Sequence, residues 1–247
     1  PSIKVVVNGE LGNGVMSKDV ILHILADMKT DGATYKVIEF TGSTIENMTT
    51  DSRLTLSNMT IEGGAKAGII APDEKTAAYL SKYYNKHGLN MLQSDDGAEY
   101  EEIREYTAES IPPSVACPHN VDKVKPAEEL SDLTINQAFL GSCTNGRLED
   151  LAIAAQIVKG RKIHSDVRLI VVPASRDVYK QALQQGYIET LAEAGAMISH
   201  PACGLCAGRS GGILAEDDRI ISSNNRNFLW RKGSEKAEIY VDSPATV

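Results

Sequence analysis

The sequence predicts an α/β fold organised in two domains. Segments rich in β-branched residues alternate with segments of helical spacing that begin at capping residues. The alternation weakens once, between about Gly88 and Glu129, where prolines cluster around Ile111-Pro112-Pro113. A chain of 247 residues is long enough for two ordinary domains. We therefore expect one domain over residues 1–129 and a second over residues 130–247.

In the first half, the helices are predicted from their capping residues. Ser17 is the expected N-cap of a helix through residue 29, Thr50 and Asp51 are expected to cap a second helix, and Pro72-Asp73 open a third. The second helix is expected to end near Gly63-Gly64. β-Branched and apolar runs predict strands at residues 3–7, 36–40 and 67–70, and residues 100–106 are a further candidate strand.

The second half has a more regular alternation. Helices are predicted at residues 147–159, with Glu149 and Asp150 in the favourable acidic first turn, at residues 175–185 behind the N-cap Ser175, and up to residue 194. Strands are predicted at residues 134–141, 167–172 and 196–199. Cys143 and Cys203 each follow a predicted strand, and loops after strands are where open α/β sheets bind their ligands.

Composition and charge exclude several classes of protein. Hydrophobic residues make up 42% and charged residues 23% of the chain, as in water-soluble globular proteins, and no apolar run is long enough to span a bilayer. The net charge of −8 disfavours a broad surface for nucleic acid or anionic lipid. The first residues lack the basic start and apolar core of a signal peptide. We expect a cytoplasmic protein with neither a nucleic-acid nor a membrane partner.

The C-x-x-C of Cys203 and Cys206 favours bound metal. Four cysteines in a chain without secretory features indicate metal or redox chemistry more than a disulfide framework. The neighbouring glycines allow the backbone to wrap closely around a bound group. Spacing alone favours a metal over a thioredoxin-like dithiol, and it leaves open a zinc site in which His200 is a ligand.

The other two cysteines differ in their surroundings. An isolated cysteine is most often a small buried side chain. Cys143, however, lies in a small polar loop ahead of a predicted helix, where backbone N–H groups favour a thiolate. Cys117, beside Pro118 and His119, has no such setting and is predicted to be structural. Cys143 with the C-x-x-C gives three thiolates, one fewer than closes a structural zinc site or an ordinary iron–sulfur cluster, so a substrate could take the open position.

A basic segment predicts a small anionic ligand. Between residues 219 and 234 the sequence has Arg219, Arg226, Arg231 and Lys232 and no acid. Arginine forks can hold carboxylates with two hydrogen bonds, although a solvated turn is the usual interpretation of an Asn-rich stretch.

Asn58 and Glu62 are spaced to lie on one helical face. A surface pair is the ordinary outcome of that spacing. The Asn58 amide would matter for function only if its face met the cysteine loops.

Five segments together resemble the aconitase superfamily, and within it the large subunits of isopropylmalate dehydratases. They are GSCTNGRLEDL around Cys143, the CGLC of Cys203 and Cys206, SNNRNF followed by Arg231, the terminal DSPAT, and LSNMTIEGGAKAG around Asn58 and Glu62. The resemblance covers nearly the whole chain in order. It implies two three-layer α/β domains of the aconitase iron–sulfur type.

The resemblance also implies a cofactor and a site. The cofactor is a [4Fe–4S] cluster whose fourth iron is free to act as a Lewis acid on a small hydroxy-dicarboxylate substrate. The residues so assigned are Cys143, Cys203 and Cys206 for the cluster, Asn58, Glu62, Asn225 and Arg226 for catalysis, and Arg226 and Arg231 for the substrate carboxylates.

The implied activity is a hydro-lyase of leucine biosynthesis that interconverts 2-isopropylmalate and 3-isopropylmalate. Close relatives act on homoaconitate or 2,3-dimethylmalate. Family large subunits carry a further N-terminal domain with catalytic His and Asp residues, and a small subunit supplies a mobile swivel domain with a Ser base and further arginines. Neither matches a segment of this sequence, so we expect a two-domain piece that is inactive alone. Alternatives of another class are an RNA-binding module and a zinc-stabilised structural module.

Overall fold

The computed structural model describes residues 1–83 and 91–247, which form two β-sheets with helices packed against them. The strands are β1 (Ser2–Asn8), β2 (Val37–Thr41), β3 (Ala67–Ile70), β4 (Glu102–Thr107), β5 (Ser114–Ala116), β6 (Val124–Pro126), β7 (Gln137–Gly141), β8 (Arg168–Val172), β9 (Met197–Ile198), β10 (Arg219–Ser222) and β11 (Glu238–Asp242). The α-helices are α1 (Ser17–Met28), α2 (Ser43–Asn47), α3 (Thr50–Met59), α4 (Glu74–Ser81), α5 (Ser142–Asn145), α6 (Leu148–Val158), α7 (Arg176–Gln184) and α8 (Tyr187–Ala194). The predicted α/β class is confirmed.

The smaller sheet has four parallel strands in the order β3-β2-β1-β4. Alternate side chains of β1, those of Ile3, Val5 and Val7, are fully buried. They share one apolar core with Ile21 and Leu25 of α1. Every second side chain of the strand points to the same face, and side chains four residues apart share one face of the helix. These two spacings determine which face of each element is buried in the core.

The larger sheet has seven strands in the order β6-β5-β11-β10-β7-β8-β9 and is buried on both faces. Its strands are parallel except where β5 pairs with β11 and with β6. Leu140 and Val171 face a core shared with α6 and α8, whereas Phe139 and Ile170 face a second core that contains Leu205. Such double burial explains why β7 and β8 are continuous apolar runs.

The two sheets are joined through a shared core. The chain leaves the smaller sheet after β4 and enters the larger one at β5, and Ala116 and Val241 pack into the core of the smaller sheet. Asp19 of α1 adds a polar link, because its carboxylate accepts a hydrogen bond of 2.8 Å from the Ser114 backbone N–H. Residues 114–126 thus pair within the larger sheet, while the proposed boundary near Leu130 stays a prediction.

Most predicted elements are present, with corrections at their ends. Ser17 is the first residue of α1, and the N-cap position is Met16, whose N–H donates to Asp19 at 2.7 Å. Thr49 caps α3, accepting from the Ser52 N–H at 3.0 Å, so the cap is one residue before the predicted Thr50. The expected weakening of order begins at Gly88, and its first residues, 88–90, lie outside the described residues.

The sequence interpretation missed the short elements β5, β6, β10, β11, α2 and α5. Within the described ranges, the structure has no helix of the length and apolarity that a bilayer crossing requires.

Candidate functional site

Cys143 lies in a tight turn at the end of β7, the four-residue helix α5, which we call the cysteine turn. Gly141, just before it, has φ 135°, and a Cβ there would come within 2.1 Å of the Val172 carbonyl oxygen. Glycine is therefore required for the strand to enter the turn. Within the cysteine turn Ser142, Thr144 and Asn145 are buried, whereas the Cys143 thiol is exposed.

Asn58 of α3 contacts the cysteine turn and a second loop at once. Its side-chain oxygen accepts hydrogen bonds from the Thr144 hydroxyl at 2.8 Å and from the Asn225 amide at 2.5 Å. Asn225 belongs to residues 223–232, which we call the arginine segment. The face of α3 that carries Asn58 thus contacts the loop of Cys143. A functional role for the Asn58 amide was conditional on this contact.

Glu62 follows Asn58 in a 3₁₀ helix, Thr60–Gly63, and pairs with Arg226 of the arginine segment. The Arg226 Nε donates to the Glu62 carboxylate at 2.7 Å, and the side chains are 35% and 3% exposed respectively. Burial raises the pKa of Glu62, and the Arg226 guanidinium opposes that rise. The Glu62 carboxylate is therefore paired with Arg226, and the Arg226 guanidinium remains partly exposed to solvent.

Arg226 and Arg231 line the same open cleft, of about 510 Å³, which we call the anion cleft. The other lining residues are Thr30, Ile61, Glu62, His119, Asn120 and Phe228. Two guanidinium groups against one carboxylate give the cleft a positive excess, which suits a small carboxylate ligand. Cys143 lines a different cleft, of about 960 Å³, together with Arg147, Tyr79 and Tyr187.

Cys203 and Cys206 lie in residues 199–213, the C-x-x-C loop, which follows β9. The Cys206 N–H donates to the Cys203 carbonyl at 3.0 Å, and Leu205 is buried against the larger sheet. Gly208 has φ 69°, and a Cβ there would meet the Arg231 carbonyl oxygen at 1.9 Å. The C-x-x-C loop therefore abuts the arginine segment. Cys203 is exposed and Cys206 half-buried.

A buried cation lies near these thiols. Lys232 is fully buried, and its ammonium has no hydrogen-bond partner among the described residues. Burial lowers its pKa to about 7, against the opposing fields of Cys206 and then Asp242. Burial also raises the pKa of Asp242 well above its usual value. A buried ammonium without a fixed partner suits a site that receives an anionic, thiolate-bound group.

The three thiols suit a cluster by donor type, but the structure does not bring Cys143, Cys203 and Cys206 together as a ligand set. In the two stretches that the structure describes, no three His, Cys, Asp or Glu side chains stand close enough together to hold a metal ion. The zinc alternative would add His200, an exposed residue whose ring centroid lies 6.4 Å from that of Tyr179. Thiolates hold iron–sulfur clusters and, together with one histidine, structural zinc as well, so donor type alone does not separate the cluster from the zinc set.

Cys117 has a different environment. It is half-buried, and burial raises the pKa of its thiol, which reduces the reactive thiolate. Its carbonyl accepts a hydrogen bond of 2.7 Å from the Asn227 amide, which fixes the arginine segment to residues 116–120. Asn227 is fully buried. Sequence reasoning noted the density of amides here but gave Asn227 no role.

Buried charged residues near the site were also missed. Lys18 of α1 donates to the Asn145 side-chain oxygen at 2.9 Å, and Asp150 accepts from the Arg147 N–H at 2.9 Å. The charge of Lys18 is visible in the sequence, but its burial is not, because both of its oxygen acceptors come from the other half of the chain. Asp242 lies in the terminal DSPAT segment, which contributed to the family resemblance but did not indicate a role for Asp242.

Comparisons with known proteins find relatives along nearly the whole chain. A model of the aconitase family (aconitate hydratase) matches residues 1–130 and 120–247. The 3-isopropylmalate dehydratase large subunit of Halothermothrix orenii is 50% identical over 99% of this chain, and that of Elusimicrobium minutum is 47% identical over 99%. A third relative, the 3-isopropylmalate dehydratase large subunit 2 of Archaeoglobus fulgidus, is 49% identical over 99% of this chain. The chain spans 58%, 58% and 59% of the length of these three relatives.

Proposed function

Because the chain belongs to the aconitase family, we propose that it carries the [4Fe–4S] site of a hydro-lyase that interconverts 2-isopropylmalate and 3-isopropylmalate by dehydration and rehydration. The names of relatives near 50% identity along the whole chain support this substrate. The proposed pathway is leucine biosynthesis, and the proposed location is the cytoplasm.

The observation that carries the proposal is the double contact of Asn58. Its amide oxygen accepts from Thr144, next to Cys143, and from Asn225, next to Arg226. Residues assigned separately to the cluster and to catalysis are thereby linked through one side chain. An accidental surface pair would not bridge two loops of the other half of the chain.

Cys143, Cys203 and Cys206 would hold the cluster. When bound, its fourth iron supplies a Lewis acid that makes hydroxide a better leaving group. Lys232 would offset part of the negative charge of the nearby Cys206 thiolate.

Arg226 and Arg231 would bind the substrate carboxylates. The Glu62 carboxylate occupies the Nε of Arg226 and so fixes the plane of that guanidinium, leaving its other N–H groups for the substrate. Asn58 and Asn225 would orient the substrate beside the cluster. The base that removes the carbon-bound proton, and further substrate arginines, would come from a small subunit with a mobile swivel domain. The chain alone is then expected to be inactive.

Anaerobic reconstitution tests the cofactor. The chain is expected to bind about four iron and about four sulfide ions per molecule. The Cys203→Ser variant should lose them, and Cys117→Ser is the matched control that should keep them. Stoichiometric zinc without sulfide would refute the cluster.

Turnover tests the substrate and the partner. With a small subunit present, 2-isopropylmalate is expected to be consumed faster than homoaconitate or 2,3-dimethylmalate. Full activity of the 247-residue chain without any partner would contradict the need for a second subunit.

A further inference from the structure

Lys18, the second residue of α1, has a fully buried side chain in the polar region between the two sheets. Its ammonium donates to the Asn145 side-chain oxygen at 2.9 Å and to the Ser223 carbonyl at 2.9 Å. The Met59 sulfur lies 3.8 Å away and is a weaker acceptor. One side chain of the N-terminal half therefore spans two loops of the C-terminal half.

The two oxygen acceptors belong to the loops that carry the proposed chemistry. Asn145 is two residues after Cys143 in the cysteine turn, and Ser223 is two residues before Asn225 in the arginine segment. These loops also contact each other directly. The Ser223 hydroxyl accepts from the Gly141 N–H at 2.9 Å and lies 3.4 Å from the Asn145 carbonyl. Lys18 closes this pair of loops from the side of α1.

Charged groups around Lys18 account for a buried ammonium at this position. Burial lowers the pKa of Lys18 to about 8, and the negative groups that oppose this are Asp150, Asp242, Cys206 and Glu62, in decreasing order. A buried charge is tolerated when it is paired and hydrogen-bonded. An apolar side chain would fill the same space but would leave both oxygen acceptors without a donor.

We propose that Lys18 is a positioning residue whose ammonium fixes the cysteine turn and the arginine segment relative to each other. The hydrogen bonds of Lys18 to Asn145 and to Ser223 support the structural role. Its meaning for catalysis rests on the proposed function, because only then do Cys143 and Asn225 act on one substrate. The positioning role is therefore tested first without a cluster.

Hydrogen exchange measured by mass spectrometry on the cluster-free chain provides that test. Lys18→Met keeps an unbranched side chain that is shorter by the terminal nitrogen, and it removes the donors. Amides of residues 141–146 and 222–226 are expected to exchange at least about tenfold faster in this variant, because a tenfold change corresponds to one ordinary hydrogen bond. Amides of the smaller sheet should keep their rates after correction for global stability.

Leu22→Ala is the matched control. Leu22 is equally buried and lies on the same helix, but it belongs to the apolar core of the smaller sheet. It should lower global stability without a selective effect on the two loops. If Lys18→Met and Leu22→Ala give the same exchange pattern, Lys18 serves only the core and the proposal is wrong.

A second variant covers the case in which Lys18→Met does not fold. Asn145→Ala removes one acceptor of Lys18, together with the longer Asn145 amide bonds to Thr55 and Asp150, and leaves α1 unchanged. Exchange is expected to rise in the unmutated residues 222–226, by less than in Lys18→Met, because an ammonium without its bond to Asn145 holds the Ser223 carbonyl less firmly. Unchanged exchange there would overturn the proposal.

The reconstituted chain gives an independent readout. Cluster loss to a chelator, followed by visible absorbance, should be about tenfold faster in Lys18→Met than in Leu22→Ala, because a loosened turn releases its thiolate more readily. Equal rates would remove the link between Lys18 and the cluster. A wild-type chain that takes up no cluster would instead refute the proposed function, and the exchange experiment would still decide the positioning role.

Discussion

The cysteine turn and the C-x-x-C loop differ in how the rest of the chain holds them. Side chains from distant elements, Asn58 and Lys18, bond directly to the cysteine turn. The C-x-x-C loop is shaped by its own backbone turns, by the buried Leu205, and by the Gln137 amide that donates to Gly212 at its far end. The cysteine turn is held by side-chain hydrogen bonds from distant elements, whereas the C-x-x-C loop is held mainly by backbone turns, by apolar packing and by its contact with the arginine segment.

This difference suggests a division of labour in a site that binds a group through thiolates. The fixed turn would set the position of one thiolate relative to Asn58 and the arginine segment. The less constrained loop, with Cys203 exposed, can adjust around whatever the thiolates bind, because metal binding commonly completes the ordering of its own ligand loop.

Gly141→Ala should have the largest effect and would sharpen the comparison. The added Cβ would lie 2.1 Å from the Val172 carbonyl oxygen in β8, and the φ of 135° is strained for alanine. We expect a loss of roughly 3 kcal/mol or more in the free energy of unfolding. Urea denaturation followed by far-ultraviolet circular dichroism measures it. A loss below about 1 kcal/mol would show that the turn is not held as described.

Arg226→Met should cost about 2 kcal/mol at pH 8, because it leaves the buried Glu62 carboxylate without its partner, while partial exposure of Arg226 moderates the loss. The folded-state pKa of Glu62 is raised by burial, so its contribution to stability is present at low pH and is lost as pH rises through that pKa. Removing the arginine raises the pKa further, and the cost should shrink at pH 5.

Unfolding by urea at the two pH values measures this change. The double variant Glu62→Gln with Arg226→Met is the control, and its stability should lose this pH dependence. An equal cost of Arg226→Met at pH 5 and pH 8 would mean that Glu62 does not carry the effect.

Asn58→Ala should cost about 1.5 kcal/mol, the sum of two ordinary hydrogen bonds. Ser57→Ala, one residue away, is the control that leaves both bonds intact. A double-mutant cycle with Asn225→Ala should give a coupling free energy of about 0.5 to 1 kcal/mol. If the free-energy changes of the two substitutions were strictly additive, Asn58 and Asn225 would not be coupled, and the inferred contact between α3 and the arginine segment would be wrong.

Gly211→Ala should have the smallest effect, below about 1 kcal/mol. Gly211 has φ 68°, like a residue of a tight turn, but a Cβ there would meet nothing within 4 Å. Only the left-handed backbone preference is lost. A loss comparable to that of Gly141→Ala would show that both loops are equally constrained, and the contrast between them would disappear.

Much of the fold could be predicted from the sequence because the longer helices and strands have local signals, namely apolar patterns and capping residues. The β-branched run from Ile3 to Val7 and the caps Asp73 and Ser175 depend on nearby residues, and the corresponding elements are present. The strands β5 and β6 have three residues each and are selected by their partners in the sheet, so local pattern could not find them.

The site was accessible only in part. The spacing of Cys203 and Cys206 is local, and the resemblance supplied Asn58, Glu62 and Arg226. Lys18 bonds to residues 127 and 205 positions away, and no local periodicity encodes such contacts. Its sequence neighbourhood is that of an ordinary amphipathic helix with an exposed lysine.

Trp230 is the single tryptophan of the chain, and its side chain is 67% exposed in the arginine segment, one residue before Arg231. Its indole is therefore an intrinsic fluorescent reporter of the arginine segment rather than of the core. Binding of a carboxylate beside Arg231 should change its emission. Global unfolding should change that emission only slightly, because the indole is already solvated in the folded protein, so fluorescence would follow ligand titrations while circular dichroism follows denaturation.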